Sequence, residues 1–150
     1  MKRNFNKLKG IFVAVVVALI ASLLSLFVFA AATGTHTPVT GVTVSVSGAT
    51  DNSMADGAVT VTAKGSGGIF GLGASAKTAT ITIYNDSSSA ATLSFDWTAS
   101  SVNQLTIDGT VCSGDLGSFS KVLEAGKSIT ITIVTGKNNT TNKLVMESFS

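Results

Sequence analysis

The chain has 150 residues with ten Lys plus Arg, eight Asp plus Glu and one histidine, a formal charge of +2. Four of the basic residues, Lys2, Arg3, Lys7 and Lys9, fall in the first ten positions, which leaves six lysines against eight acids in the rest. That remainder offers no basic stripe for a nucleic acid, and with one histidine and one cysteine neither a three-ligand zinc site nor an intramolecular disulfide can be built.

Behind the basic start, Ile11 to Ala32 is a run of 22 residues interrupted only by Ser22 and Ser25. It ends in Ala30-Ala31-Ala32, the small-x-small pattern that a signal peptidase reads, so cleavage is expected after Ala32 or Ala30. The run is also long enough to cross a ~30 Å hydrocarbon layer, and retention as an N-terminal anchor is the alternative. In both cases the basic flank stays cytoplasmic and the residues beyond Ala32 are exported. Residues 1–32 therefore read as signal peptide or membrane anchor, residues 33–41 as a linker holding His36 and the only proline, Pro38, and residues 42–150 as one domain. The expected location is secreted or at the cell surface of a bacterium. A disulfide-free domain of about 115 residues relies on its core, which is feasible at that size. The sequons at Asn85, Asn138 and Asn139 are then incidental.

The domain opens with VTVSV, which places Val42, Val44 and Val46 on one face, and AVTVTA repeats the pattern with Val59, Val61 and Ala63. Strict alternation means half-buried strands. Between them DNSMADG reads as a loop of solvated acids, because it lacks the alternating oxygens of a calcium loop. Next comes GSGGIFGLGASAKT. Its second half approaches a Walker A loop, with Gly71, Lys77 and Thr78 at the right offsets and Ala76 where a glycine belongs. A phosphate loop must open a helix, however, and Lys77-Thr78 opens TATITIY, which alternates with period two. The segment is a connection between strands. Its apolar Ile69, Phe70 and Leu72 are candidates for partner contact, or plug the end of the core.

In TATITIY the inward set is Ala79, Ile81 and Ile83, and Tyr84 points outward as a further contact candidate. ATLSFDWTA turns Leu93, Phe95, Trp97 and Ala99 inward, so the single tryptophan is expected in the core. QLTIDGTVC carries Asp108-Gly109, the strongest local signal for a hairpin. Cys112 after it reads as a small half-buried hydrophobe, with intermolecular pairing as the outside option. SFSKVL, SITITIV with Ile129, Ile131 and Ile133 inward, and KLVMESF complete seven to nine strands. Turn signals about every ten residues give an all-β, antiparallel sandwich, preceded by an N-terminal hydrophobic helix.

The order TATITIYNDSSSAATLSFDWTAS, LTIDGT, GSFSKVLEAGKSITITI resembles immunoglobulin-like modules of Gram-positive bacterial surface and secreted proteins. The resemblance lies in Asn85 before a Ser-rich turn, Leu93 and Phe95 in a core strand, and the Leu123–Ser128 turn into a Thr-Ile repeat, and it covers Val42 to Phe149. Such modules serve as stalks, spacers and adhesive domains and bring no catalytic residues. Lys9-Gly10 before an apolar segment is also similar to a type IV pilin-like precursor cleaved after Gly10. Position five of that product is Val15, where the bacterial pilin pattern has glutamate, although archaeal-type pilins do not all need it.

The expected function is that of a non-catalytic exported surface module with a structural or adhesive role. A carbohydrate-binding module and a filament subunit cleaved after Gly10 are the alternatives. No cofactor and no metal are expected. The partner is a cell-wall component, a glycan or a protein, with the membrane involved only through residues 11–32 if these are retained, and further domains of a longer chain remain open.

Overall fold

The computed structural model describes residues 31–68 and 72–150. The expected N-terminal helix lies outside the described residues, among which there are eleven strands and no helix. In chain order these are β1 (Ala32–Val39), β2 (Val42–Ala49), β3 (Asp51–Ala55), β4 (Ala58–Lys64), β5 (Thr78–Asn85), β6 (Ala91–Ser100), β7 (Gln104–Ile107), β8 (Thr110–Cys112), β9 (Leu116–Leu123), β10 (Ser128–Val134) and β11 (Thr141–Glu147). They form two purely antiparallel sheets, ordered β1-β2-β5-β10-β7-β8 and β3-β4-β11-β6-β9.

The alternation read from the sequence is the alternation of the core. Val44 and Val46, Val59, Val61 and Ala63, Ala79, Ile81 and Ile83, and Ile129, Ile131 and Ile133 are all buried. In the first sheet Ile83 faces Ile129 and Ile81 faces Ile131 across β5 and β10, which makes this pair its centre. The second sheet answers with Leu93, Phe95, Trp97, Leu144 and Met146. Each such large side chain contributes about 1.5–3 kcal/mol of burial. The ring of Phe95 stacks on Phe119 at 5.2 Å and meets Phe149 at 5.4 Å.

Strand order is less local. Three hairpins, β1–β2, β3–β4 and β7–β8, stay within a sheet, while every other connection crosses to the opposite one. This differs from the immunoglobulin arrangement of A-B-E-D against C-F-G. The all-β sandwich stands, with a strand order of its own.

Two strands, β1 and β3, occupy segments that the sequence reads as linker and loop. Residues 33–41 are mostly β1, paired with β2 from Ala32↔Ala49 to Val39↔Val42. Their alternation is polar on both faces, because β1 is an edge strand that covers little core. DNSMA is β3, and it turns into β4 through Asp56-Gly57, whose φ angles of 52° and 76° match the 48° and 79° of Asp108-Gly109. Both turns have positive φ at both central residues, as a type I′ turn requires.

Candidate functional site

The two long sides of the sandwich are built from four edge strands. On one side β1 meets β3: Gly34 lies so close to Asn52 that a Cβ would stand 2.0 Å from its Oδ1, and His36 Nε2 bonds the same oxygen at 2.8 Å. This is where the only histidine sits. It is a structural contact of the closed side and no part of a linker.

On the other side β8 and β9 stand apart around a groove of about 470 Å³. Its floor comes from Ile107, Trp97 and Phe119, and its walls from Thr110, Cys112, Leu116 and Ser118. The indole reaches there because Gly117, directly across from Trp97, has no side chain; a Cβ at Gly117 would fall 2.7 Å from the ring. Trp97 is nonetheless only 6% exposed, so it is core material at the groove's base, as expected from its place between Phe95 and Ala99. Lys121 points inward from β9, opposite Leu93, and its Nζ meets Asp108 Oδ2 at 2.5 Å across the gap. An inward charge on an edge strand discourages another chain from adding to it. Burial pushes the Cys112 thiol above its ordinary value of 9.0, with a backbone hydrogen bond from Ile107 acting in the opposite direction, so the group stays protonated at neutral pH.

The rims of this groove are apolar. Val111 and Leu116, which line it, are 62% and 73% exposed, two of the six large apolar residues exposed among the described ones, and Val122, 61% exposed, lies farther along β9. The short β8 has too few neighbours to hide Val111, and Leu116 and Val122 lie on the outer face of an edge strand. In the sequence the signal for them was weak but present: SGDLGSFSKVL departs from the Thr-rich outward pattern by placing Leu116 and Val122 on the face that Ser118 and Ser120 share.

The contact residues expected from sequence are not gathered into one site. Tyr84 is exposed on the outer face near one end of β5, beside Ser128 and Thr43, and it is the one exposed aromatic among the described residues. Leu72 precedes the other end of the same strand, which puts the two about 20 Å apart at ~3.4 Å per residue. The cavity next to Tyr84, about 20 Å³ and lined by Val42, Leu93 and Leu123, has room for a single water. Ile69 and Phe70, like Gly71 and Ala30, lie outside the described residues. Ala32 is the first residue of β1. The Walker-like Lys77-Thr78 opens strand β5, and the Lys77 amide donates to Thr135 Oγ1 at 2.9 Å, so no helix terminus faces a phosphate there.

One buried polar group ties the sheets together. Asn85, 4% exposed, donates from Nδ2 to the carbonyls of Ser89 and Leu123, while its Oδ1 accepts from the amide and hydroxyl of Ser87. All its bonds are made within the fold. The Asn-then-Ser pattern of the sequence is a joint between β5 and β9.

No family model and no curated protein matches the chain. Among solved structures it is similar to a mutant of a family 29 carbohydrate-binding module complexed with mannohexaose, at a TM-score of 0.41 and 12% identity, over 79% of this chain and 89% of that one. The likeness is too loose to bear on topology or ligand.

Proposed function

We propose that this chain is a non-catalytic, exported bacterial surface module with an adhesive role, and that its contact surface is the open side between β8 and β9. The observation that carries the reading is the asymmetry of the edges: one side is closed by β1 against β3, the other leaves a groove with two exposed apolar residues, Val111 and Leu116, at its rims. Exposed apolar residues gathered around a concavity mark contact sites more often than scattered ones do. Kinship with immunoglobulin-like surface modules of Gram-positive bacteria belongs to the same reading, supported by the core strands around Leu93 and Phe95. The partner that best suits the groove is a protein segment that inserts apolar side chains, because Trp97 lies too deep to stack on a sugar ring.

Binding of the purified protein to isolated cell walls and to immobilised extracellular proteins tests this. Leu116→Glu combined with Val111→Glu is expected to lower binding to a protein target by about tenfold, and Tyr84→Ala to leave it unchanged. Loss with Tyr84→Ala alone favours the glycan alternative. Amino-terminal sequencing of the exported product separates the processing routes: Ala31 or Thr33 supports secretion, Met1 an anchor, and Ile11 the filament subunit. Cleavage after Ala30 leaves β1 whole, whereas cleavage after Ala32 removes its first residue.

A further inference from the structure

The two ends of the sandwich differ in charge. Five crossovers, β2 to β3, β4 to β5, β6 to β7, β8 to β9 and β10 to β11, lie at one end, where Ala32 faces Ala49 and Val134 faces both Thr78 and Gln104. Four of the six lysines of the exported part are here: Lys64 closes β4, Lys77 immediately precedes β5, Lys137 lies in the β10–β11 connection and Lys143 is the third residue of β11. Only Asp51 and Asp115 accompany them; the other six acids lie toward the middle or the opposite end with Lys121 and Lys127. The ion pair among the described residues uses Lys121 and none of these four.

Two further observations concern the same end. Leu72, in the β4–β5 connection, is 77% exposed, the highest value among the large apolar residues described. And the chain enters here. Ala32, the first residue of β1, pairs with Ala49 at this end.

We propose that this end is a membrane-contacting surface that lays Leu72 and the lysines 64, 77, 137 and 143 against an anionic phospholipid bilayer. Lysine ammonium groups are drawn to lipid phosphates, and a leucine at the tip inserts at the boundary between headgroups and acyl chains. Their attraction to anionic headgroups is felt within a Debye length of ~10 Å. The groove runs from this end, at the β8–β9 connection, toward Asp108 at the other, and the proposal rests on the lysines and Leu72 alone.

The test uses the full-length protein in a Cys112→Ser background, reconstituted into vesicles of phosphatidylcholine with or without phosphatidylglycerol. An environment-sensitive dye is placed on Leu72→Cys, or on Ser88→Cys at the opposite end. The expected result is a blue-shifted Leu72→Cys probe, quenched by lipid-borne nitroxide in anionic vesicles, and a water-like Ser88→Cys probe in both. Charge reversal of all four lysines to Glu should lower the quenching by about fivefold or more, and the milder Lys77→Glu with Lys137→Glu, both fully exposed sites, should lower it partway. High salt should act in the same direction. A Leu72→Cys probe as wet as the Ser88→Cys probe in anionic vesicles overturns the proposal, as does quenching that survives charge reversal in either variant.

Discussion

Where β1 and β3 meet, the sandwich is closed by small and polar residues, with Gly34 tucked against Asn52 and His36 bonded to it. Where β8 and β9 face one another, large residues do the work: Trp97 lies over Gly117, Phe119 stacks on Phe95, and one ion pair spans a groove. Both solutions leave an edge strand on each sheet. The difference is that the first lets the Asn52 side chain fill the gap against Gly34, and the second fills the gap with rings and leaves part of it open. The closed side exposes Met54 alone among large apolar residues, whereas the side filled by rings keeps Val111 and Leu116 within reach around a groove.

Substitutions put this contrast to the test. The largest effect is expected from Phe95→Ala, which removes the ring that Phe119 and Phe149 pack on; a loss of about 3–5 kcal/mol in urea unfolding is expected. A smaller loss would mean that the open side is loosely packed. Next come the two glycines of close approach. Gly117→Val on the open side should cost about 1–3 kcal/mol and shift Trp97 emission to the red, and Gly34→Val on the closed side should cost a similar amount with the emission unchanged. If both shift the emission, the two sides are one packing unit and the contrast fails.

The polar links should rank below these. His36→Ala removes a half-buried hydrogen bond and is expected to cost about 1 kcal/mol, whereas Lys121→Ala breaks an exposed ion pair and should cost less than about 1 kcal/mol. The reverse order would assign the closing of the open side to the ion pair. Smallest of all is the effect on Cys112. With its thiol held above 9.0, alkylation by iodoacetamide should be slow at neutral pH and still be rising at pH 9, with no change in stability when Cys112→Ser is made.

Much of the core was legible because each half-buried strand spells its two faces in alternate residues. Ile81, Ile83, Phe95, Trp97 and Ile131 needed no partner to declare themselves. The edges were not legible in the same way. β1 carries Thr33, Thr35 and Thr37 against Ala32, Gly34, His36 and Pro38, a face too small and polar to stand out as a core face. β3 was hidden by its acids, although Asp56-Gly57 is the same hairpin signal as Asp108-Gly109 and, read alike, would have found it. The contact residues were the least legible. Tyr84 and Leu72 share one strand's neighbourhood in sequence, yet the extended backbone carries them to opposite ends, while Val111 and Leu116 flank one groove from different sheets.

The order of amino acids was enough to establish that the domain seen in the described residues is all-β, which residues its core holds, and that Asp108-Gly109 turns a hairpin; all three come from local φ/ψ preference and a two-residue period. Strand order, the difference between closed and open sides, and the gathering of four lysines at one end arise only from tertiary contacts. Alternation tells a strand which face to bury and is indifferent to which strand lies beside it, so the neighbours are chosen only when all eleven compete to cover one core.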